Sequence, residues 1–182
     1  MSENDLGHAL GPLSRYRYMF PLESAERRQA YVWLRGWIPG FAELCQQIDA
    51  LLGPDKRNFR WTRVREKFGA PSLAYQMDGK ARFAFNMHRP HEVLRVECAT
   101  REAFDDVAIE IHERILQREV LLRSQCIICG APATITSAQG PWASLCAVHR
   151  AAVLPINLDD PMGPVWMAAR VGEDEVFGLP GV

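Results

Sequence analysis

The sequence predicts an α+β fold in which helices pack on a small antiparallel sheet and a small C-terminal module follows. Three observations lead to this prediction. Apolar residues recur at steps of three and four over residues 38–52 and again over 104–122, the pattern of a buried helix face. Between these helices, apolar and polar residues alternate on both sides of an Asp78-Gly79 step, as in a β-hairpin. After the second helix, three of the five cysteines fall within residues 126–149.

The length of 182 residues is enough for one sizeable core, or for one core with a small satellite module. We expect a loosely ordered N-terminus over residues 1–21, an α+β core over residues 22–124 and a compact cysteine- and histidine-rich module over residues 125–150. The remaining residues, 151–182, form an acidic tail rich in proline and glycine, which cannot bury much surface by itself.

Two helices are predicted in the first third of the chain. Ser24 is a candidate N-cap for a short helix over residues 25–36. The next helix covers residues 38–52, with Pro39 in its first turn and Gly53-Pro54 at its end. Its apolar face consists of Ile38, Phe41, Leu44, Cys45, Ile48, Leu51 and Leu52.

The predicted sheet is centred on the Asp78-Gly79 turn, because glycine accepts positive φ without steric cost. Its arms are residues 72–77 and 81–87, and residues 92–99 are a candidate third strand. Thr100 then has the position of an N-cap for a long helix that runs to about residue 123. The apolar face of this helix is formed by Phe104, Val107, Ile111, Ile115 and Leu122.

Composition and charge exclude several classes of protein. Apolar residues make up 48% and charged residues 24% of the chain, and the formal net charge is −1, so the whole molecule has no electrostatic preference for nucleic acid or anionic lipid. The N-terminus lacks the pattern of a secretory signal, and no apolar run is long enough to span a bilayer. An odd number of cysteines, with Cys45 and Cys98 isolated, suits a reducing compartment. We therefore expect a cytoplasmic protein without a membrane partner.

The spacing of Cys126, Cys129, Cys146 and His149 predicts a metal site. Each pair is separated by two residues, which lets a tight turn direct both side chains at one ion, and Gly130 supplies the freedom that such a turn needs. The sixteen residues between the pairs are enough for a small hairpin that returns the second pair to the first. Thiolate and imidazole ligands favour zinc, so the segment predicts a zinc-ribbon-like module.

Because four protein ligands fill a tetrahedral coordination sphere, we expect this zinc to be structural rather than catalytic. Two alternatives remain open for the same residues, namely buried thiols with a surface histidine, or a redox pair at Cys126 and Cys129. A redox pair prefers the start of a helix that follows a strand, whereas these cysteines follow a long helix.

A basic and aromatic segment over residues 57–69 is a second candidate site. Its five arginines and lysines, interleaved with aromatic residues, could follow a phosphate backbone and stack bases. We favour an amphipathic element that buries Phe59, Trp61, Val64 and Phe68 and leaves the cations in water. The candidate partner-binding residues of this segment are Arg57, Arg60, Trp61, Arg63, Arg65 and Lys67.

No arrangement of residues in the sequence predicts an enzyme, and we expect no catalytic residues. Residues 86–92 hold two histidines, an arginine and a glutamate, where a solvated turn is the simpler interpretation. No Gly-rich phosphate loop, nucleophile elbow or Ser-His-Asp arrangement is found. HNH-type nucleases also use Cys-x-x-Cys pairs, but they need further histidines, and no histidine follows His149 here.

The segments GWIPGFAELCQQIDALL, FRWTRVREKFG, CIICGAP and WASLCAVH together resemble a family of small, largely uncharacterised bacterial proteins. The family combines a Trp/Phe-rich helix, a Val-[Lys/Arg]-Glu-Lys-Phe-Gly segment, a hairpin, a helix and a C-terminal Cys-x-x-Cys-Gly…Leu-Cys-x-x-His motif. It usually continues after the first glycine with an Arg-aromatic-Tyr strand, whereas this chain reads APSLAYQ, so no role of that arginine carries over. The resemblance covers about residues 36–150 and matches Trp61, Val64, Arg65, Glu66, Lys67, Phe68, Gly69, Cys126, Cys129, Gly130, Leu145, Cys146 and His149.

Some members of that family lie in toxin- or phage-associated gene neighbourhoods, which implies an immunity or accessory role. We therefore predict a non-enzymatic protein that binds another protein, most specifically an immunity protein that neutralises a cognate bacterial toxin. Such a protein needs a rigid surface with aromatic anchors and complementary charge. The alternative is a nucleic-acid-binding accessory or regulatory protein, in which the basic segment contacts phosphates.

The acidic tail is a candidate contact for a basic toxin, and a solubilising role is its simpler interpretation. The acidic residues concerned are Asp159, Asp160, Glu173, Asp174 and Glu175.

Overall fold

The computed structural model describes residues 11–21, 30–89, 92–98, 105–136, 142–152 and 163–178. These residues form helices and two antiparallel sheets, which confirms the predicted α+β class. The helices are α1 (Ile38–Leu52), α2 (Asp106–Arg123), α3 (Ala147–Ala152), α4 (Gly163–Ala169) and α5 (Glu173–Phe177). The strands are β1 (Arg60–Lys67), β2 (Ala70–Met77), β3 (Lys80–Arg89), β4 (Glu92–Cys98), β5 (Thr134–Thr136) and β6 (Ala143–Leu145). Short 3-10 turns cover Ser14–Met19, Arg35–Trp37 and Lys56–Asn58.

Strands β1 to β4 form a four-stranded antiparallel meander in chain order. Its first two connections are two-residue turns, Phe68-Gly69 and Asp78-Gly79, and all four residues have positive φ. Positive φ at both turn positions is the type I′ conformation, whose twist matches that of the flanking strands. The predicted hairpin and the further strand are confirmed as β2–β3 and β4.

The basic segment forms strand β1, and its burial agrees only in part with the amphipathic prediction. Phe59, Trp61 and Val64 are buried, but Phe68 is 67% exposed at the tip of its turn, so its predicted burial is wrong. A β-bulge shifts the register between Trp61 and Arg63. The bulge lets Trp61 and Val64, three residues apart, face the same core.

Residue 30 lies in a turn and residues 31–34 are not helical, so the helix predicted over residues 25–36 is wrong in this part. Arg35–Trp37 form a 3-10 turn, and residues 22–29 lie outside the described residues. Tyr31 forms a parallel bridge with Val64. The Val64 N–H donates to the Ala30 carbonyl at 3.0 Å, and the Val32 N–H donates to the Val64 carbonyl at 2.7 Å. This segment therefore covers part of the edge of β1, where open backbone groups would otherwise need partners.

Helix α1 has the predicted bounds, and Gly53, with φ 68, ends it. Helix α2 begins at Asp106 because the Asp105 carboxylate caps it, accepting the Ala108 N–H at 2.8 Å. The predicted cap, Thr100, lies outside the described residues. Helix α2 packs on α1 and on β2, where its buried Glu119 accepts the backbone N–H of β2 residue 73 at 2.9 Å.

The main core lies between α1, α2 and the inner face of β1 and β2, and both outer segments of the described chain contribute to it. The Leu13 N–H donates to the Val176 carbonyl at 3.1 Å, and the rings of Phe20 and Phe177 lie 5.3 Å apart. Residues 11–21 are therefore packed rather than loosely ordered. The clustered aromatic side chains are Phe20, Tyr31, Trp33, Phe41, Phe59, Trp61, Tyr75 and Phe177.

A second, smaller core surrounds the cysteine-rich module. Leu34 and Trp37 reach it from the first half of the chain, so the module is packed on the rest of the molecule. Its buried members are Leu34, Trp37, Leu122, Cys126, Ile127, Ala143, Leu145, Cys146, Val165 and Ala169. Among the described residues, no helix combines the length and the apolar character needed to cross a membrane.

Candidate metal centre

The four predicted ligands converge where two short loops meet. Cys126 and Cys129 lie in the turn that follows α2, while Cys146 follows β6 and His149 lies in the first turn of α3. One ligand atom from each residue lies within 4.8 Å of the other three. In the described part of the chain, no other group of three or more histidine, cysteine or acidic side chains comes together in this way.

Hydrogen-bonded turns hold each pair of ligands. The Gly130 N–H donates to the Cys126 carbonyl at 2.9 Å, and Gly130 has φ 77, a conformation that strains any residue with a Cβ. At the second pair, the Arg150 N–H donates to the Cys146 carbonyl at 2.9 Å as α3 begins. Strands β5 and β6 pair antiparallel between the two turns, so the predicted hairpin that returns the second pair to the first is present.

The distances between the ligand atoms fit a tetrahedral metal site. Cys129 Sγ lies 3.8 Å from Cys146 Sγ, and His149 Nδ1 lies 3.3 Å from Cys146 Sγ and 3.4 Å from Cys126 Sγ. Tetrahedral zinc, with bonds of about 2.3 Å to sulfur and about 2.0 Å to nitrogen, requires roughly 3.8 Å between sulfurs and roughly 3.5 Å between sulfur and nitrogen. The side chains are therefore arranged to hold one metal ion.

The turns also change the acidity of the thiols. The His149 backbone N–H, directed at the Cys146 sulfur, is the main reason that the pKa of Cys146 falls to about 6. The Ala131 N–H lowers the pKa of Cys129, but burial and the two neighbouring cysteines raise it by more, so its pKa is raised overall. Since thiols bind metals as thiolates, the lowered pKa of Cys146 favours metal binding near neutral pH.

Gly36 holds the first cysteine turn against the core, a role that sequence reasoning missed. Its N–H donates to the Ile127 carbonyl at 2.9 Å. A Cβ at position 36 would lie 2.0 Å from the Cys126 carbonyl oxygen and 2.5 Å from the Gly130 nitrogen. Because these are backbone atoms, a larger residue would have to displace the turn itself.

Two further hydrogen bonds attach the module to the helices. The Trp37 indole N–H donates to the Gln125 carbonyl at 3.1 Å, and the hydroxyl of buried Ser144 donates to the Arg123 carbonyl at 2.8 Å. Trp37 and Gln125 are 88 positions apart, so the local sequence did not indicate this junction.

A cleft of about 610 Å³ borders the cluster. Cys129 and His149 line one side of it, and its charged lining comes from Arg35, Glu43 and Arg118. The Arg118 guanidinium pairs with the Glu43 carboxylate at 3.0 Å.

Two of the predicted contact residues in the basic segment have partners within the fold. Arg57 pairs with the carboxylates of Asp78 and Asp105, at 2.6 Å from Asp105, and these bonds raise the pKa of its guanidinium. Arg60 donates to the side-chain oxygen of Gln76 at 2.6 Å. Arg57 therefore links the 78–79 turn to the start of α2.

The remaining predicted contacts of this segment differ in exposure. Trp61 is fully buried in the main core, so its prediction as a partner contact is wrong. Arg63 is half-buried, whereas Arg65 and Lys67 are exposed on the outer face of β1.

The predicted acidic contacts lie partly on α5. Glu173, Asp174 and Glu175 form its first turn, and Glu175 pairs with Arg35 at 2.6 Å. Asp159 and Asp160 lie outside the described residues. The side chains of residues 86–92, where the sequence holds two histidines, also lie outside them.

The module also presents apolar side chains that sequence reasoning did not single out. Trp142, just before β6, is 44% exposed, and Val148, in α3, is 73% exposed. The other four tryptophans are buried or half-buried. Trp142 is thus the most accessible tryptophan of the chain, and it flanks the strand that leads to Cys146.

Comparison with known proteins returns neither a family nor a fold. No family model, curated protein or solved structure matches the chain. The family resemblance stays a prediction, and the four-ligand cluster is the feature from which function is inferred.

Proposed function

We propose that the protein is a non-enzymatic, zinc-stabilised protein that binds another protein through the surface of its zinc-ribbon-like module. The observation that carries this proposal is the cluster of Cys126, Cys129, Cys146 and His149, whose ligand atoms lie within 4.8 Å of one another and include a sulfur–sulfur distance of 3.8 Å that fits a tetrahedral zinc site. Three thiolates with one imidazole are a donor set that suits zinc. With four protein ligands, no coordination position remains for water or substrate, so the ion serves folding rather than catalysis.

Exposed apolar side chains on the module support a binding role. Trp142 and Val148 flank β6, and aromatic residues exposed in this way are enriched at the energetic centres of protein interfaces. The module is packed on the core through Gly36 and Trp37. Trp142 and Val148 would therefore lose little conformational entropy when a partner binds.

The most specific form of this function is a cytoplasmic immunity protein that neutralises a cognate bacterial toxin. The family resemblance and the acidic first turn of α5 support it. The Glu175–Arg35 pair in that turn is half-exposed, so it contributes little stability and can be exchanged for a partner's charges.

The experiment is co-expression of the chain with the toxin-like product of each adjacent reading frame, with growth rescue and calorimetric affinity as readouts. We expect rescue, and we expect Trp142→Ala to weaken the complex by about tenfold or more, as truncation of an interface hot spot does. Ile109→Ala is the matched control, since Ile109 is 45% exposed near the other end of α2. It should change affinity by less than about twofold.

The outer face of β1, with exposed Arg65 and Lys67, favours the alternative of nucleic-acid binding. A gel-shift titration at two salt concentrations separates the two functions, because phosphate contacts make affinity fall steeply with ionic strength. Salt-sensitive binding without a protein complex would replace our proposal by the alternative. Growth rescue without binding to nucleic acid at low salt would remove the alternative.

A further inference from the structure

We propose that Cys129 and Cys146 form an oxidation site, at which a small hydroperoxide converts the two thiolates into a disulfide and the metal is released. This inference rests on the proposed zinc site and adds to it, because it gives the metal-binding thiols a chemistry beyond folding. The substrate class is hydrogen peroxide or a compact organic hydroperoxide.

Access to the sulfurs selects the first residue to react. Cys129 is exposed and lines the cleft of about 610 Å³, which is open to a molecule as small as hydrogen peroxide. Cys126 is fully buried, and Cys146 is 8% exposed. Cysteine oxidation follows thiolate character and exposure, and metal ligation keeps the thiol deprotonated. Cys129 is therefore the sulfur that meets the oxidant first.

Contact and access together favour Cys146 as the second residue. Its Sγ lies 3.8 Å from Cys129 Sγ, whereas the other neighbouring cysteine, Cys126, is fully buried. A resolving thiolate at contact distance condenses readily with a sulfenic acid. The disulfide would join the two cysteine turns to each other instead of closing the first turn on itself.

The proposed reaction has two steps that balance. The Cys129 thiolate attacks one peroxide oxygen, the O–O bond breaks, hydroxide leaves, and sulfur is oxidised by two electrons to sulfenic acid. The Cys146 thiolate then attacks the Cys129 sulfur, the S–O bond breaks, and a second hydroxide leaves as the disulfide forms. Only Cys126 and His149 remain as ligands, too few for a structural zinc site.

The experiment uses the full chain purified with reductant and without chelator. Zinc is measured first, hydrogen peroxide is added, and release is followed with a chromogenic zinc chelator. Free thiols are then alkylated under denaturing conditions. Residues 124–150 form a single tryptic peptide that contains all three ligand cysteines. We expect release of the zinc, one alkyl group on Cys126, and a disulfide between the other two.

Each contrary result identifies a different failure. Protein without stoichiometric zinc before peroxide is added would contradict the metal site itself. Zinc-loaded protein that keeps its metal, or that forms a Cys126–Cys129 disulfide, would contradict only the oxidation site. Cys45, fully buried in the main core, is the internal reference and should remain a free thiol that is alkylated after peroxide treatment, because burial protects it from the oxidant.

A matched pair of variants tests the role of Cys129 without removing the fourth ligand. Cys129→His and Cys126→His both leave two cysteines and two histidines, a set that also binds zinc. Both variants are first checked for bound zinc and a native circular dichroism spectrum. After addition of hydrogen peroxide, Cys129→His should release its zinc about tenfold more slowly than the parent protein. Cys126→His should release it at a rate within about threefold of the parent. Equal rates in the two variants would overturn the proposal.

Discussion

Gly36 shows how the absence of one side chain sets the position of a metal site. Its backbone lies so close to the first cysteine turn that a Cβ would overlap the Cys126 carbonyl. The cysteine turn also requires glycine at position 130, because a Cβ there would lie 2.9 Å from the Gly36 carbonyl oxygen. Two glycines 94 positions apart in the chain therefore meet, and this contact could not be predicted from either local sequence.

We expect Gly36→Ala to lower the free energy of unfolding by about 2–4 kcal/mol, because the cysteine turn must move to accommodate the methyl group. Zinc affinity should fall with it. Gly79→Ala is the control, since position 79 has φ 75 and open space around it. The free energy of unfolding of the control should fall by about 1 kcal/mol through backbone strain alone, and its zinc affinity should stay unchanged. Chemical denaturation and competitive zinc titration measure both quantities, and equal effects of the two variants would contradict this account.

At the level of elements, local signals explain what the sequence could predict. Helix α1 and the β2–β3 hairpin follow from apolar spacing and from turn chemistry that lie within each segment. The sequence does not indicate strand β1, because its bulge places Trp61 and Val64 three residues apart, whereas a regular strand places residues of one face two apart. The bridges of Tyr31 to Val64 and of Leu34 to Arg170 could not be predicted from the local sequence, because each partner is distant in the chain.

Strand β1 carries, next to its turn into β2, a carboxyl group that should make stability depend on pH. Glu66 accepts the Gly69 N–H, and burial raises its pKa from the usual 4.5 to about 7, since that hydrogen bond compensates only in part. The folded state therefore binds this proton more tightly than the unfolded state does. Stability should fall as pH rises from about 4.5 to about 7, and level off above.

The Glu66→Gln variant isolates this contribution. We expect the variant to lack the decline, which in the parent has a slope of at most about 1 kcal/mol per pH unit after solvent screening. Urea titrations of both proteins across this range, under the same metal conditions, provide the measurement. Parallel stability curves would show that Glu66 does not contribute.

For the whole molecule, the four ligands could be predicted because they lie within 24 consecutive residues, where spacing alone brings them together. The packing around these ligands could not be predicted from the sequence. The second core joins Leu34 and Trp37 to Leu145 and Val165, contacts that depend on the complete fold. Likewise, the burial of residues 163–178 depends on an aromatic cluster gathered from distant segments.

Removal of the metal should affect the two cores differently. Structural zinc contributes on the order of 10–16 kcal/mol of apparent binding free energy near neutral pH. We therefore expect chelation, or Cys129→Ser, to lower Tm by about 10 °C or more and to weaken the near-ultraviolet signal of Trp37 and Trp166 in the second core. The far-ultraviolet signal of α1, α2 and the four-stranded sheet should largely persist.

Readdition of zinc, compared with magnesium, is the control for chelation. Zinc should restore Tm, and magnesium should not, because it prefers oxygen ligands. Protein purified without chelator that contains no stoichiometric metal would contradict this prediction.

The hydrogen bond between Leu13 and Val176 joins segments 163 positions apart, and the cysteine turns lie between them in the chain. Contacts of such separation carry a large loop-closure entropy, so this protein should fold slowly for its size. Until residues 163–178 pack on the core, the rings of Phe20 and Trp33 that contact Phe177 stay exposed to solvent and favour aggregation. Zinc binding early in folding would hold the cysteine turns together and so reduce the loop-closure entropy that remains. Chains that acquire zinc while they fold should therefore aggregate less than chains supplied with zinc afterwards.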